Sequence, residues 1–288
     1  MNTSLFFGQV VTGLVAGAGY AVVAVGLSYT LGLARVMNFA FGTFYMLAAF
    51  AILVAMNQLG LGYALACIAA VVVITLVALV FSRIVLLPAM RISEPSVMIA
   101  SLGAGVVLTS LAQWLFGADV SYIDSPLLNR TYHLGVASFT QQAVATLIAA
   151  PVIAFGLNLF MQRSLLGQRI RAVAESPELA AATGLRTTSL QAVAATIGIA
   201  LAAVAATIYA PTGVVSVFMG DEILLKAFTI AAIAGVGRIW GAVIMGFAIG
   251  VFEALVGGFI SSAYSTAAIY LLLIGTLIIF PRGIFSGH

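Results

Sequence analysis

Nine runs of mostly apolar residues, at about 8–33, 43–57, 62–87, 96–117, 140–162, 190–210, 223–236, 240–258 and 264–281, make up most of this chain. About 20 apolar residues carry an α-helix across the hydrocarbon core of a bilayer, so most of these runs are long enough to span it. The second and seventh are short and are expected as half-spans, broken helices or re-entrant pieces. Open sheet edges cannot be satisfied in lipid, so so many consecutive segments must be helical. The fold class that follows is all-α, a polytopic transmembrane helix bundle of about 8–9 spans. Charged residues are only 7% of the composition and the mean hydropathy is +1.22, against about 25% charged in a soluble domain. The longest polar stretches are too short to bury a core of their own, so residues 1–288 are expected to form a single transmembrane domain. No Lys or Arg precedes Arg35 and the first run is as long as a span, which argues for a membrane helix rather than a cleavable signal.

The arginines sort by side. With nine segments, Arg35, Arg83, Arg91, Arg163, Arg169, Arg171, Arg186, Arg238 and Arg282 fall on one side, and Arg130 with Asp119, Asp124, Asp221 and Glu222 on the other. Positively charged loops stay in the cytoplasm. The N-terminus is therefore expected outside and the C-terminus inside, with an extracytoplasmic loop at about 118–139 and a cytoplasmic loop at about 163–189.

The chain is poor in reactive groups. One lysine, Lys226, lies in Leu-Leu-Lys-Ala, so no phosphate-binding loop of the GxxxxGK[ST] type is possible. His133 and His288 lie in a loop and at the C-terminus, which excludes HExxH and makes a Ser/His/Asp constellation implausible. The single cysteine, Cys67, sits within an apolar run as a small packing residue. Neither a catalytic residue, a metal site nor a cofactor is expected in this chain, and the scattered arginines give no nucleic-acid footprint. If ATP drives transport, another polypeptide hydrolyses it.

Three features stand out from the apolar background. The stretch "GQRIRAVAESPELAAATGLR" (167–186) holds five charges. Within it Ser176-Pro177-Glu178 reads as N-cap, N1 proline and early acidic residue, and Gly184 as the left-handed residue that closes a helix. A helix that short is marginal alone and must pack on something, either its own bundle or a soluble partner. Second, "GLARVMNFAFGT" (32–43) and "PTGVVSVFMGDE" (211–222) look too polar or too broken for simple spans. Interrupted helices in the two halves of a transporter often flank the substrate route. Asn38, within Met37–Gly42, either lines that route or caps freed backbone groups with its amide. Third, Lys226 and Glu253 are the two charges that fall well within predicted spans. They flank the turn near Arg238–Gly241 at equal depth, about 20 Å from it at 1.5 Å per residue, and are expected to pair facing away from lipid. A clamp between helices is the favoured reading over a substrate or proton site.

Longer stretches show a resemblance. "GAGYAVVAVGLSYTLGLARVMNFAFGTFYML" resembles the opening of the permeases of branched-chain amino acid ABC importers, which often read YAL-A-GL--YG----NFAHG. "LLGQRIRAVAESPELAAATGL" is similar to their cytoplasmic loop, and "LKAFTIAAIAGVGRIWGAVIMGFAIGVFEAL" and "FPRGIFS" to later family motifs. The likeness is collinear over about 8–286 and nearer to the first of the two permeases in such systems than to its larger partner. It implies a second homologous permease subunit, two cytoplasmic ABC ATPases that bind ATP and Mg, and a periplasmic or extracellular solute-binding protein, all at the bacterial inner membrane. It also implies that Glu175, Ser176, Pro177, Glu178, Leu179, Ala180 and Gly184 form the segment that contacts an ATPase. The first of these stretches holds Asn38, Phe39, Phe41 and Gly42 at the expected helix break. Phe41 stands where the family often has histidine, Arg238 where serine is usual and Trp240 where proline is common.

Relatives that import urea or short amides share nearly the same motifs, so the resemblance leaves the exact substrate open. A different class of reading, a stand-alone secondary transporter using Lys226 and Glu253 for ion coupling, gives the capped helix at 176–184 no role.

Overall fold

The computed structural model describes residues 3–117, 119–128, 130–134, 137–281 and 283–285. Arg282 and His288 lie outside the described residues, as does the side chain of His133. Each of the nine apolar runs is helical. α1 spans Thr3–Gly32, α2 Phe41–Asn57, α3 Tyr63–Phe81, α4 Leu87–Met90, α5 Glu94–Phe116 and α6 Gln141–Arg163. Two short helices, α7 Leu165–Glu175 and α8 Pro177–Ala182, precede α9 Thr187–Tyr209, α10 Met219–Ala234, α11 Ile239–Phe259 and α12 Ser262–Ile279. Among the described residues, seven helical stretches are long and apolar enough to cross a membrane. The two short runs are the 17-residue α2 and the 16-residue α10.

α3 continues into α4 through a π-helical turn at Ser82–Leu86. Pro88 explains it: the ring lacks an N–H and clashes with the carbonyl four residues back, so the ladder widens ahead of it. The turn leaves Ser82 buried, where its hydroxyl accepts a 2.9 Å bond from Thr196 of α9. Such hydroxyl pairs hold helices together where no hydrophobic driving force acts between them.

α1 is the spine. It packs along α11 through Gly13 and Gly17 on one side and Gly246 and Gly250 on the other, glycines four apart on each helix, a spacing that lets helices approach closely in lipid. A β-carbon on Gly17 would lie 2.6 Å from the carbonyl of Gly246, and one on Gly13 2.5 Å from the Cα of Val251. The helices touch backbone to backbone. Around this spine α2 and α9 are mostly buried and α10 half so, whereas few residues of α5 and α12 are buried and many of their large apolar side chains are exposed. A soluble protein could not carry so much exposed apolar surface; against lipid tails it costs nothing.

One departure from pure helix lies in the 118–139 loop, which the sequence shows only as polar. Strands β1 Thr131–Leu134 and β2 Ala137–Thr140 pair antiparallel, Thr131 opposite Thr140. Thr140 then caps α6, its hydroxyl accepting from the amide of Ala143 at 3.2 Å. Upstream, Ser121 and Val215 exchange backbone hydrogen bonds of 2.9 and 2.8 Å, which ties this loop to the segment before α10.

Candidate translocation and coupling sites

The two ends of the bundle differ in chemistry. Gly32, at the end of α1, abuts Gly237 in the α10–α11 turn. There Leu33, Arg171 and Arg238 line one cavity of about 360 Å³ with Asn158 and Gln162. Arg171 and Arg238, two of the arginines that the sequence sorts to one side, thus meet at one end, and the Ser121–Val215 pairing lies at the other.

At the arginine end stands the charged stretch. Ser164 caps α7, its hydroxyl accepting from the amide of Gly167 at 2.9 Å. Ser176 then ends α7 and begins α8, its hydroxyl 3.4 Å from the donating amide of Leu179. Pro177 follows at the first helical position, where a missing N–H costs nothing. The other end of α8 is closed by Gly184, whose φ of 84° an L side chain rarely adopts. Its amide donates to Ala181 at 2.9 Å, and that of Leu185 donates to Ala180 at 3.2 Å. These paired bonds are the Schellman closure. Open space surrounds Gly184, so its backbone angle, not crowding, is what calls for glycine. Ala180 is buried against the bundle while Leu179 is 71% exposed, and Glu175 and Glu178 are exposed beside it. α8 is therefore a fixed knob with an apolar tip. The sequence shows its caps but not α7, whose amphipathic face lies in the same polar stretch.

The helix break after α1 is irregular over Leu33–Ala40, with Arg35 at a left-handed φ of 52°. Asn38 is buried, and its Oδ1 accepts a 3.0 Å bond from the amide of Ala40, while its carbonyl accepts from Phe41 at 3.4 Å. The side-chain amide thus satisfies backbone that the break sets free. Its Nδ2 is buried without a partner. Phe39 donates its amide to the hydroxyl of Ser101 at 3.1 Å. Phe41 is fully enclosed, its ring beside Gly26 and Leu201. Gly42 lies against Gly220 and Leu224 of α10, so the two broken stretches of the sequence come together.

Beside that contact lies a cavity of about 190 Å³ whose wall includes Tyr20, Tyr45, Tyr209, Thr212, Glu222 and Lys226. The Nζ of Lys226 is 2.8 Å from Oε1 of Glu253 and donates to the hydroxyl of Tyr20 at 2.9 Å. It also lies 4.7 Å from the centre of the Tyr20 ring. The paired side chains are 17% and 15% exposed. Tyr20 meets Tyr209 edge to face at 5.8 Å, and Gly19 leaves the room that the Tyr209 ring occupies. Neither tyrosine stands out in the sequence. The available signal was depth: Tyr20 is twelve residues from Gly32 and Lys226 eleven from Gly237, but the Gly32–Gly237 contact that aligns them needs the structure.

Among the described residues no group of three His, Cys, Asp or Glu is placed to hold a metal. The chain matches, over residues 9–280, the family described as branched-chain amino acid transport system, permease component. It belongs to that family. This permease component is 29% identical to the high-affinity branched-chain amino acid transport system permease protein LivH of Escherichia coli K12, over 97% of this chain and 95% of that one. The corresponding permease protein BraD of Pseudomonas aeruginosa is also 29% identical, over 96% and 94%. A probable branched-chain amino acid transport permease protein LivH from Methanocaldococcus jannaschii is 24% identical, over 91% and 87%. Among solved structures, PsaBC from Streptococcus pneumoniae in complex with Fab is similar at 17% identity and a TM-score of 0.46, covering 97% of this chain and 91% of that one, a likeness too slight to carry an argument. With its seven long apolar helices, the permease component is a multi-pass membrane protein.

Proposed function

We propose that this chain is one permease subunit of an ATP-binding-cassette importer for branched-chain or related amino acids. In this reading it forms half of the translocation pathway, beside a second homologous permease, in the bacterial inner membrane. Two ATPase subunits supply the hydrolysis, and a solute-binding protein delivers substrate from outside. The arginine end then faces the cytoplasm and the Ser121–Val215 end faces outward, as the positive-inside rule requires.

The observation that carries this reading is α8. A six-residue helix capped at both ends, rigid at its base and apolar at its exposed tip through Leu179, is the form a coupling knob requires. A soluble motor can move it as a body because both caps fix its direction. Glu175 and Glu178 add charge at its rim. The test is purification of this chain from its native membrane with a single affinity tag. ATPase subunits that leave the column with it, and are lost from a Leu179→Asp variant of normal yield, support the reading; a chain that purifies alone contradicts it.

A further inference from the structure

The ion pair does not seal Lys226 away. An ammonium has three N–H donors, and the structure engages two of them, with Tyr20 and Glu253. Glu253 is not part of the cavity wall, whereas Lys226 is. The carboxylate behind it offsets the cost of a charge at membrane depth, and the lysine still presents to the cavity. One turn away on the same face of α10, at i and i+4, Glu222 lines the same cavity. Among the described residues Lys226–Glu253 is the one ion pair within 4 Å, so Glu222 is not held by Lys226. The cavity is open on one side, and its volume of about 190 Å³ leaves room for one small organic molecule. Tyr45 and Tyr209 complete an aromatic wall suited to an apolar side chain.

We propose that this cavity is a recognition subsite for a zwitterionic α-amino acid, with the substrate carboxylate on Lys226 and Tyr20 and its ammonium on Glu222. The proposal rests on the amino-acid importer reading above and places the reading of both backbone charges within the permease itself. Thr212 and Val214 carry the cavity wall up to Val215, which pairs with Ser121 at that end of the bundle.

The test uses the assembled complex with Thr212→Cys in a Cys67→Ala background and follows the rate of labelling by a small thiol reagent. L-Leucine, 4-methylpentanoate, which lacks the amine, and 3-methylbutylamine, which lacks the carboxylate, are compared as protectants. ATP-dependent uptake of labelled leucine by the parent complex is measured alongside. At about twice its dissociation constant, leucine slows labelling about threefold by mass action. Neither analogue protects at the same concentration, and Glu222→Gln abolishes the protection in a complex of unchanged elution volume. If the parent complex imports leucine but labelling is indifferent to it, or either analogue protects equally, the subsite is overturned while the importer reading stands. If the parent complex imports no branched-chain amino acid, the importer reading falls and the subsite with it.

Discussion

Gly42 and Gly220 sit so close that a β-carbon on either would run into the carbonyl of the other. Each lies in the first turn of a short helix, α2 or α10, and each belongs to one of the two broken stretches of the chain. The contact joins the start of α2, which carries Tyr45, to the start of α10, which carries Glu222 and Lys226.

Gly42→Val and Gly220→Val should each force these helices apart, costing about 1–3 kcal/mol as overpacking does elsewhere. The expected result is a lower melting temperature of the detergent-solubilised complex and reduced uptake. Gly103 on α5 has open space around it, so Gly103→Ala should not destabilise the complex and should raise stability by up to about 1 kcal/mol through helix propensity. Equal effects at the three positions would contradict the assigned contact.

Gly184 tests coupling by backbone angle alone. Because nothing crowds it, Gly184→Val acts through the positive φ, at a cost of about 1–2 kcal/mol. Gly184→Asn, which tolerates that region, should retain most of the function. Membrane insertion should be normal in both, while transport and substrate-stimulated ATP hydrolysis fall together only in the valine variant. Normal hydrolysis in a well-assembled Gly184→Val complex would remove α8 from the coupling route.

For Lys226 and Glu253 a double-mutant cycle is decisive. Lys226→Met and Glu253→Gln each strand a charge or a polar group at membrane depth, where insertion scales put a lone charge at about 3 kcal/mol. Each should reduce assembled complex in the membrane, and the double variant should recover part of the loss. Strictly additive losses would mean that the 2.8 Å contact contributes nothing.

The break at Leu33–Ala40 makes an accessibility pattern. With Cys67→Ala as background, cysteine at Met37, 52% exposed, should label readily in the resting complex, and cysteine at Asn38 or Phe41 should not. A pathway role for Asn38 requires that its labelling change when nucleotide or loaded binding protein is added. Labelling at 38 that stays silent in every state would leave Asn38 as a cap for freed backbone alone.

Much of this arrangement is legible in the sequence because lipid imposes simple rules. Apolar run length gives the position of each of the nine apolar helices, and proline, serine and glycine at 176–184 give both ends of α8. Depth counting from one turn sets Lys226 level with Glu253, since both flank the same hairpin. What needs the structure is every relation between distant segments. Tyr20 reaches Lys226 only because α1 and α11 interlock through glycines, and Gly42 finds Gly220 only because two breaks fold toward each other. The π turn at Ser82–Leu86 is a further case: Pro88 signals a disturbance, but not the Thr196 hydroxyl that it leaves Ser82 to meet. The pairing of β1 with β2 is not legible in the sequence because four-residue strands leave almost no periodicity to read.

The most direct test of the importer reading is uptake of labelled leucine into proteoliposomes holding the complex purified through a tag on this chain, with ATP inside or outside and with or without a proton or sodium gradient. Uptake that requires ATP on the side of α8, together with the loaded binding protein on the other, is the expected result. Uptake driven by an ion gradient by this chain alone, indifferent to ATP, would contradict it.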